Sequence, residues 1–376
     1  MMPADPLEAV THPDPYPYYR GLAAHRPFGF DERLGMWVAA GPAEVAAVLA
    51  HPDCRVRPPA QPVPPALAGT AAGELFGRLI RMNDGAGHAP LKAILLQLMA
   101  SIDTGTARAR AAMLAAALDA VPGMAPATGA AVNRWVSTLP VVTVADLLGL
   151  PVRAGVDAMT VAARVAAYAA AQSPLATAED VAAGADAARW LNQWLLAAAE
   201  VPCQADDAGL LPALRQAAQA QDIAPEAVAA NAIGLMVQAC EATAGLAGNM
   251  LLRIGRSGPA VDGLPELAAR VARDDPPVQN TRRFLAADAR LCGVPVRAGD
   301  AVLVLLAAAS CAASGDDDAR PWTFGAGRHA CPGDALAQAL AAATVEALLA
   351  RGALPAALAQ AFRYRPSHNA RIPHFD

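Results

Sequence analysis

Residues 324–333 read FGAGRHACPG, and their types and spacing carry more chemistry than any other stretch of the chain. Phe324, Gly325, Gly327, His329, Cys331 and Gly333 fall together in one decapeptide. Glycines this dense permit a tight loop whose backbone can pass close under a flat ligand. Cys331 stands just ahead of an Ala/Leu-rich run at 335–350 that predicts a long helix. At a helix N-terminus the free N–H groups and the dipole favour a thiolate, the form of cysteine that binds metals. A second stretch, GLMVQACEATAG at 234–245, places Glu241 among apolar and small residues inside a long Pro-free run. Burying that carboxylate unpaired would cost several kcal/mol, so it needs either a function or a partner such as backbone N–H groups or an arginine.

The decapeptide resembles the haem-ligand loop of the cytochrome P450 family, Phe-x-x-Gly-x-His/Arg-x-Cys-x-Gly, whose iron is held by a cysteine thiolate. The resemblance implies that Cys331 is the axial ligand of a haem b and that Phe324, Gly325 and Gly333 shape the loop around it. It also implies that His329 donates to a haem propionate. MNDGAGHAPLK at 82–92 looks like the family's His-x-x-x-Arg helix, which makes His88 and Lys92 further propionate partners. In the segment 273–300, Arg283 lies five residues before Asp288, where the family has a propionate-binding arginine. YRPSHNARIP is similar to the family's C-terminal strand pair.

By the same resemblance, 226–254 is the helix that crosses the distal face of the haem, usually reading Ala-Gly-x-Asp/Glu-Thr. Gln238 and Ala239 then occupy the small pair, Glu241 the acid and Ala242 the place of the threonine. Small Ala239 would let the haem approach the helix. The acid and threonine of the family manage proton delivery during oxygen activation. Without the hydroxyl at Ala242, Glu241 must work with water, a substrate hydroxyl or Thr243, which lies about 100° further round a helix.

Other positions depart from the family pattern. Counting back from Pro276, Arg273 matches the arginine of the Glu-x-x-Arg pair, but Arg270 stands where the glutamate belongs. A buried Arg270 would repel Arg273, whereas Glu266 is placed four residues earlier to pair with Arg270 on the helix surface. Between a strand read in VLVLLAAAS and Phe324, the segment CAASGDDDARPW replaces the usual meander. Lys92 for arginine keeps the charge and loses the bidentate fork.

The function implied is a soluble, bacterial-type monooxygenase acting on a small organic molecule, in a specialised biosynthetic pathway. Its electrons would come from NAD(P)H through a ferredoxin reductase and a ferredoxin. Substrate would lie under the 58–73 loop and the 170–178 connection, against Ala239, Ala242, Val278, Gln279, Asn280, Thr281 and Ser367 to Asn369. Gln279 and Asn280 would make that wall polar and suit an oxygenated or amide-bearing substrate. Two alternatives stay open: an atypical reaction of the same class (peroxide-driven, coupling or dehydration), and a non-catalytic haem- or small-molecule-binding protein.

The elements that must hold these residues can be read from composition and pattern. The 376 residues are 55% hydrophobic and 17% charged with only 5% aromatic, so alanine dominates and helix is favoured. Helices are expected at 42–50, at 89–98, through 107–200 with a break at 170–180, and over 226–254. Short strands follow DPYPYYRGL near GMWVAAG, and further strands fall within 288–310 around a Gly-Asp turn and in the closing FRYRPSHNARIPHF. The proline-dense 58–69 reads as irregular loop. The expected architecture is mainly α with a minor β part, the triangular helical domain with small β-sheets of the P450 fold. It is expected as one domain over 1–376, with β-rich portions at about 28–60, 278–310 and 360–376 and a helical body at about 85–275 and 334–352.

A net charge of −5 argues against a nucleic-acid-binding face. The start of the chain lacks the basic and apolar blocks of a signal peptide. The long apolar window at 227–254 carries Asn231, Gln238, Glu241 and Asn249, which argues against a membrane span. Six cysteines without CxxC pairs suit free thiols in a reducing cytoplasm.

Overall fold

The computed structural model describes residues 2–376 apart from 127, 153–154, 201–208, 259–261 and 314–319. At its centre lies the helix Pro225–Ser257, 33 residues and therefore about 50 Å long. Pro225 begins it, where a missing N–H costs nothing. It stops at Gly258, whose N–H returns to the Ile254 carbonyl at 2.9 Å. By length and composition it could cross a membrane. Instead, residues on all sides of it are buried against the helices Gly129–Leu147, Gly155–Ala171 and Asp334–Ala350.

Helices Thr104–Leu118, Ala178–Glu200, Leu210–Gln219 and Leu264–Asp274 complete this body. Its core is built largely from Ala, Val and Leu, with Trp135 the bulkiest enclosed side chain. Alanine on facing helices permits close approach, which explains how so few aromatic residues fill so large an interior. The expected helices at 42–50 and 89–98 appear as Pro42–Ala50 and His88–Ala100. The break near 170–180 falls between Ala171 and Ala178.

The strands are β1 (Phe28–Asp31), β2 (Met36–Ala39), β3 (Cys54–Arg55), β4 (Thr281–Leu285), β5 (Ala289–Leu291), β6 (Val294–Val296), β7 (Ala301–Val304), β8 (Phe362–Tyr364) and β9 (Pro373–Phe375). A five-stranded sheet runs in the order β1-β2-β7-β4-β3, antiparallel except for β2 with β7. The pairs β5–β6 and β8–β9 are separate hairpins. Cys292 and Gly293 both take positive φ between β5 and β6, the geometry of a two-residue hairpin turn. The expected Gly-Asp turn, at Gly299 and Asp300, lies between β6 and β7, with Asp300 accepting from the Trp37 indole at 3.0 Å.

Three readings from the sequence need correction. VLVLLAAAS is not one strand: β7 ends at Val304 and Leu306–Ala312 is helix, because the alanine run favours helix once the sheet register is left. The loop read over 58–73 ends at Thr70: Ala71–Arg78 is a helix capped by that residue, whose hydroxyl accepts from Gly73 N–H at 3.1 Å. Arg270 is not buried against Arg273, and its partner is not Glu266. It lies at the surface and pairs with Asp262 at 2.5 Å. Half of the replaced meander, residues 314–319, and Cys203 lie outside the described residues.

The two ends of the chain meet at one buried guanidinium. Arg371 is 1% exposed. Its Nε pairs with Asp275 at 2.8 Å, and its other nitrogens donate to the carbonyls of Val10, His12 and Pro13 at 3.2, 2.6 and 3.0 Å. Tyr16 donates to the same Asp275 oxygen, and the Arg371 guanidinium stacks 3.7 Å over the Tyr364 ring. Removing one member of a buried pair strands the other, at about 3–5 kcal/mol. Arg371→Ala should lower the unfolding free energy extrapolated from urea melts by that amount and open residues 5–15 to protease before global unfolding; an unchanged value would show that Arg371 is not a tether.

Candidate functional site

A cavity of about 740 Å³ opens between the central helix and the Cys331 loop. Ala239, Glu241, Ala242 and Thr243 line it from the helix; Phe324, Gly325, His329, Cys331 and Gly333 line it from the loop. Val278, Asn280 and Arg283 form a side wall with Ser367 to Ala370, and His88 and Lys92 form another. Sites separated by hundreds of residues are thus brought to one space.

The loop has almost no regular ladder of its own. Gly325 and Gly327 both sit at φ +65°, the left-handed region that glycine enters without strain. A Cβ at Gly327 would also lie 3.0 Å from the Leu49 carbonyl. Cys331 N–H returns to the Phe324 carbonyl at 2.8 Å. Two arginines supply the rest. Arg320 donates to the carbonyls of Gly325 and Cys331 at 2.6 and 2.8 Å and pairs with Asp334 at 2.7 Å, the first residue of the following helix. Arg328 reaches outward to Asp84 and to the carbonyls of His51, Pro52 and Cys54.

Asp84 is the counter-ion of this arrangement. Burial works against its charge, but hydrogen bonds from His329 at 2.8 Å, Val56 N–H at 2.8 Å and Arg328 at 3.0 Å outweigh burial and hold its carboxyl far below the usual range. Burial lowers His329 despite that carboxylate, so its ring is neutral near pH 7. With Nε2–H given to Asp84, the Nδ1 of the neutral ring accepts rather than donates. The donation from His329 to a haem propionate expected from the sequence therefore requires the protonated ring. His329 is first a brace of its own loop.

Arg283, Lys92 and His88 are placed differently. Among the described residues, none has a carboxylate within ion-pair distance. Arg283 is 5% exposed, its guanidinium bonded to Thr281 Oγ1 and the Arg282 carbonyl, and burial lowers its pKa to about 10. Burial, followed by the nearby His329 and Lys92 charges, brings His88 down to about 4. Lys92 donates to the Ala330 carbonyl, which leaves two further donors on its ammonium. Burial pushes the Cys331 thiol up, opposed by the Gly333 N–H and by the Lys92 and Arg320 charges. A soft thiol ringed by basic groups without carboxylate partners suits an iron porphyrin with two propionates.

Three solved structures illustrate what the chain is similar to. CalO2 matches over 100% of this chain and 99% of its own, with TM-score 0.75 and 23% identity. P450BioI, solved in complex with an acyl carrier protein carrying hexadec-9Z-enoic acid, matches over 96% of both chains with TM-score 0.76 and 21% identity. The monooxygenase TamI, solved with tirandamycin C bound, matches over 96% of both chains with TM-score 0.72 and 21% identity. No family model and no curated protein sequence matches the chain. These solved structures are bacterial cytochrome P450s.

The chain has the cytochrome P450 fold.

Within that P450 fold most of the site residues expected from the sequence share the cavity, with one clear exception. Gln279 does not line it. Alternation along an extended segment turns Val278 and Asn280 toward the cavity and Gln279 away. Gln279 is fully buried, donating Nε2 to the Pro276 carbonyl at 2.6 Å. Asn280 is polar wall, but its amide already donates to the His368 carbonyl at 2.8 Å. Glu241 proves to be neither fully buried nor unpaired: Arg365 approaches its carboxylate at 3.3 Å, with both side chains substantially exposed. Thr243, 2% exposed, is on the cavity wall although it lies beyond the expected relay position.

Asp84, Arg320, Arg328, Arg365 and Arg81 were not found from the sequence. Arg328 and Arg365 occupy positions that motif matching treats as variable. One signal was available: Lys92 is the only lysine in the chain, every other basic residue being arginine. A reagent that acylates amines should therefore label one internal site. Adding haem should slow that labelling by about tenfold or more, as salt-bridged and enclosed ammonium groups react slowly. Equal labelling with and without haem would remove Lys92 from the cofactor cradle.

Proposed function

We propose that this chain is a haem-thiolate monooxygenase that oxidises a small organic molecule. The observation that carries the reading is the shared cavity: Cys331 on one wall, Ala239 and Ala242 on the helix above, and Arg283, Lys92 and His88 at its edge. Cys331 would ligate the iron of haem b, while Arg283, Lys92 and His88 would hold its propionates. When bound, the haem supplies reductive activation of O2 and transfer of one oxygen atom to substrate. The Gly333 N–H and the Lys92 charge favour the thiolate form of Cys331 and would moderate its electron donation to a bound haem. Ala239 and Ala242 are small enough to leave reaction space beside the helix. Electrons would come from NAD(P)H through a ferredoxin reductase and a ferredoxin, in a cytoplasmic enzyme of specialised biosynthesis. Structural neighbours solved with tirandamycin C or an acyl-loaded carrier support a small-molecule substrate.

One observation favours a second reading within the same class. Ala242 brings no hydroxyl, and the Glu241 carboxylate is engaged by Arg365. Proton delivery then falls to water, substrate or Thr243, which suits a peroxide-driven or otherwise atypical reaction.

Reduced protein exposed to CO should show the red-shifted Soret band of a thiolate-ligated haem, and Cys331→Ser should abolish it. No such band in haem-replete protein would refute both readings. A positioned proton donor contributes about 10²–10⁴-fold. Ala242→Thr should therefore raise ferredoxin-driven product yield per electron by about tenfold or more, with peroxide-driven turnover little changed. If neither responds, the missing hydroxyl does not limit the reaction.

A further inference from the structure

The cavity contains a cation, Arg81, with no carboxylate at ion-pair distance among the described residues; the Glu241 charge acts on it only from farther away. Arg81 lies on the single turn Ile80–Met82. That turn is fixed to the central helix: Ile80 N–H donates to Asn231 Oδ1 at 2.9 Å, and Asn231 Nδ2 donates to the carbonyls of Arg78 and Ala227 at 2.9 and 2.8 Å. The Arg81 side chain enters the cavity, where Nη2 donates to Gln172 Oε1 at 2.5 Å. Gln172 is itself oriented by its Nε2 bond to the Tyr168 carbonyl at 3.2 Å. The Nε of Arg81 is fully enclosed and has no hydrogen-bond partner among the described residues.

A guanidinium does not escape this situation by losing its proton. Leaving it enclosed against a neutral amide alone costs several kcal/mol. Among the described residues, two carboxylates line the cavity. Asp180 caps its own helix through Thr177, and Glu241 is taken by Arg365 at 3.3 Å. Arg57 and Arg282 also line the cavity without a carboxylate at ion-pair distance among the described residues, so the surplus beyond the propionate cradle is positive. Such a cavity concentrates anions.

We infer that Arg81 receives the carboxylate of the substrate, so that the enzyme acts on an organic acid. The Nε–H and a neighbouring Nη–H form the planar fork that a carboxylate matches with two parallel hydrogen bonds. The acid's apolar body lies along Phe76, Leu235, Ala239 and Ala242, which places its far end toward the Cys331 loop. The chemistry performed on that acid rests on the monooxygenase reading; its recognition by Arg81 does not.

The test is isothermal titration calorimetry on the full, haem-replete chain, with dodecanoic acid against methyl dodecanoate and 4-phenylbutanoic acid against its primary amide. In at least one pair the acid should bind tenfold or more tightly than its neutral partner. Arg81→Gln should abolish that preference. Arg81→Lys, which keeps the charge without the fork, should retain part of it and serves if the glutamine variant folds poorly. Glu241→Gln should leave the preference in place. Neutral partners binding as well as the acids, no acid binding in either pair, or a preference that survives Arg81→Gln would overturn the inference. The CO spectrum of the same samples keeps the two questions apart. An Arg81-dependent preference without the thiolate band supports acid recognition and removes the oxygenase, and the band without the preference does the reverse.

Discussion

A loop that presents a ligand atom to a cavity has no backbone ladder to fix it, so something else must. Here two guanidinium groups do so from opposite sides. Arg320 clamps the loop to the helix that follows it, and Arg328 clamps it to the edge of the five-stranded sheet. Each reads several carbonyls in a fixed geometry, which a single ammonium could not do. Because Arg328 and His329 share Asp84, the position of the thiol depends on a residue just ahead of the helix that carries His88 and Lys92. The cavity wall is therefore one connected unit rather than a set of independent side chains.

That connection also sorts the charges. Asp84 neutralises the cations on the outer side of the loop and takes no part in lining the cavity. His88, Lys92 and Arg283, which face inward, have no carboxylate at ion-pair distance among the described residues, and burial lowers the pKa values of His88 and Arg283. Strain of this kind is usual where a fold reserves space for a charged ligand. Lysine at 92, in a chain that otherwise uses arginine throughout, fits the same logic. A compact ammonium reaches the Ala330 carbonyl and still has donors to spare.

Much of this was legible in the sequence because the decisive signals were local. Glycine spacing around Cys331 announced the loop, and the run 226–254 announced the central helix to within a few residues of its ends, although Gly255, read as its boundary, lies inside it. What could not be read was direction. Gln279 and Asn280 are chemically alike, yet the pleat sends one into the core and the other into the cavity. VLVLLAAAS carries strand and helix preferences in sequence, and the sheet edge decides where one yields to the other. The partners of Glu241 and Arg270 were invisible for a related reason: Arg365 and Asp262 reach them through tertiary folding and irregular connections, which periodicity does not describe.

Arg371 carries a consequence for how the molecule is made. Its guanidinium binds the Pro13 carbonyl across a separation of 358 residues. At about 5–20 residues per second, Pro13 is synthesised about 20–70 s before its anchor exists. Residues 10–16 are thus among the last to find their place, long after they are made. Until then Tyr16, half-buried in the finished molecule, and Tyr19, enclosed in it, are aromatic surface available to a chaperone.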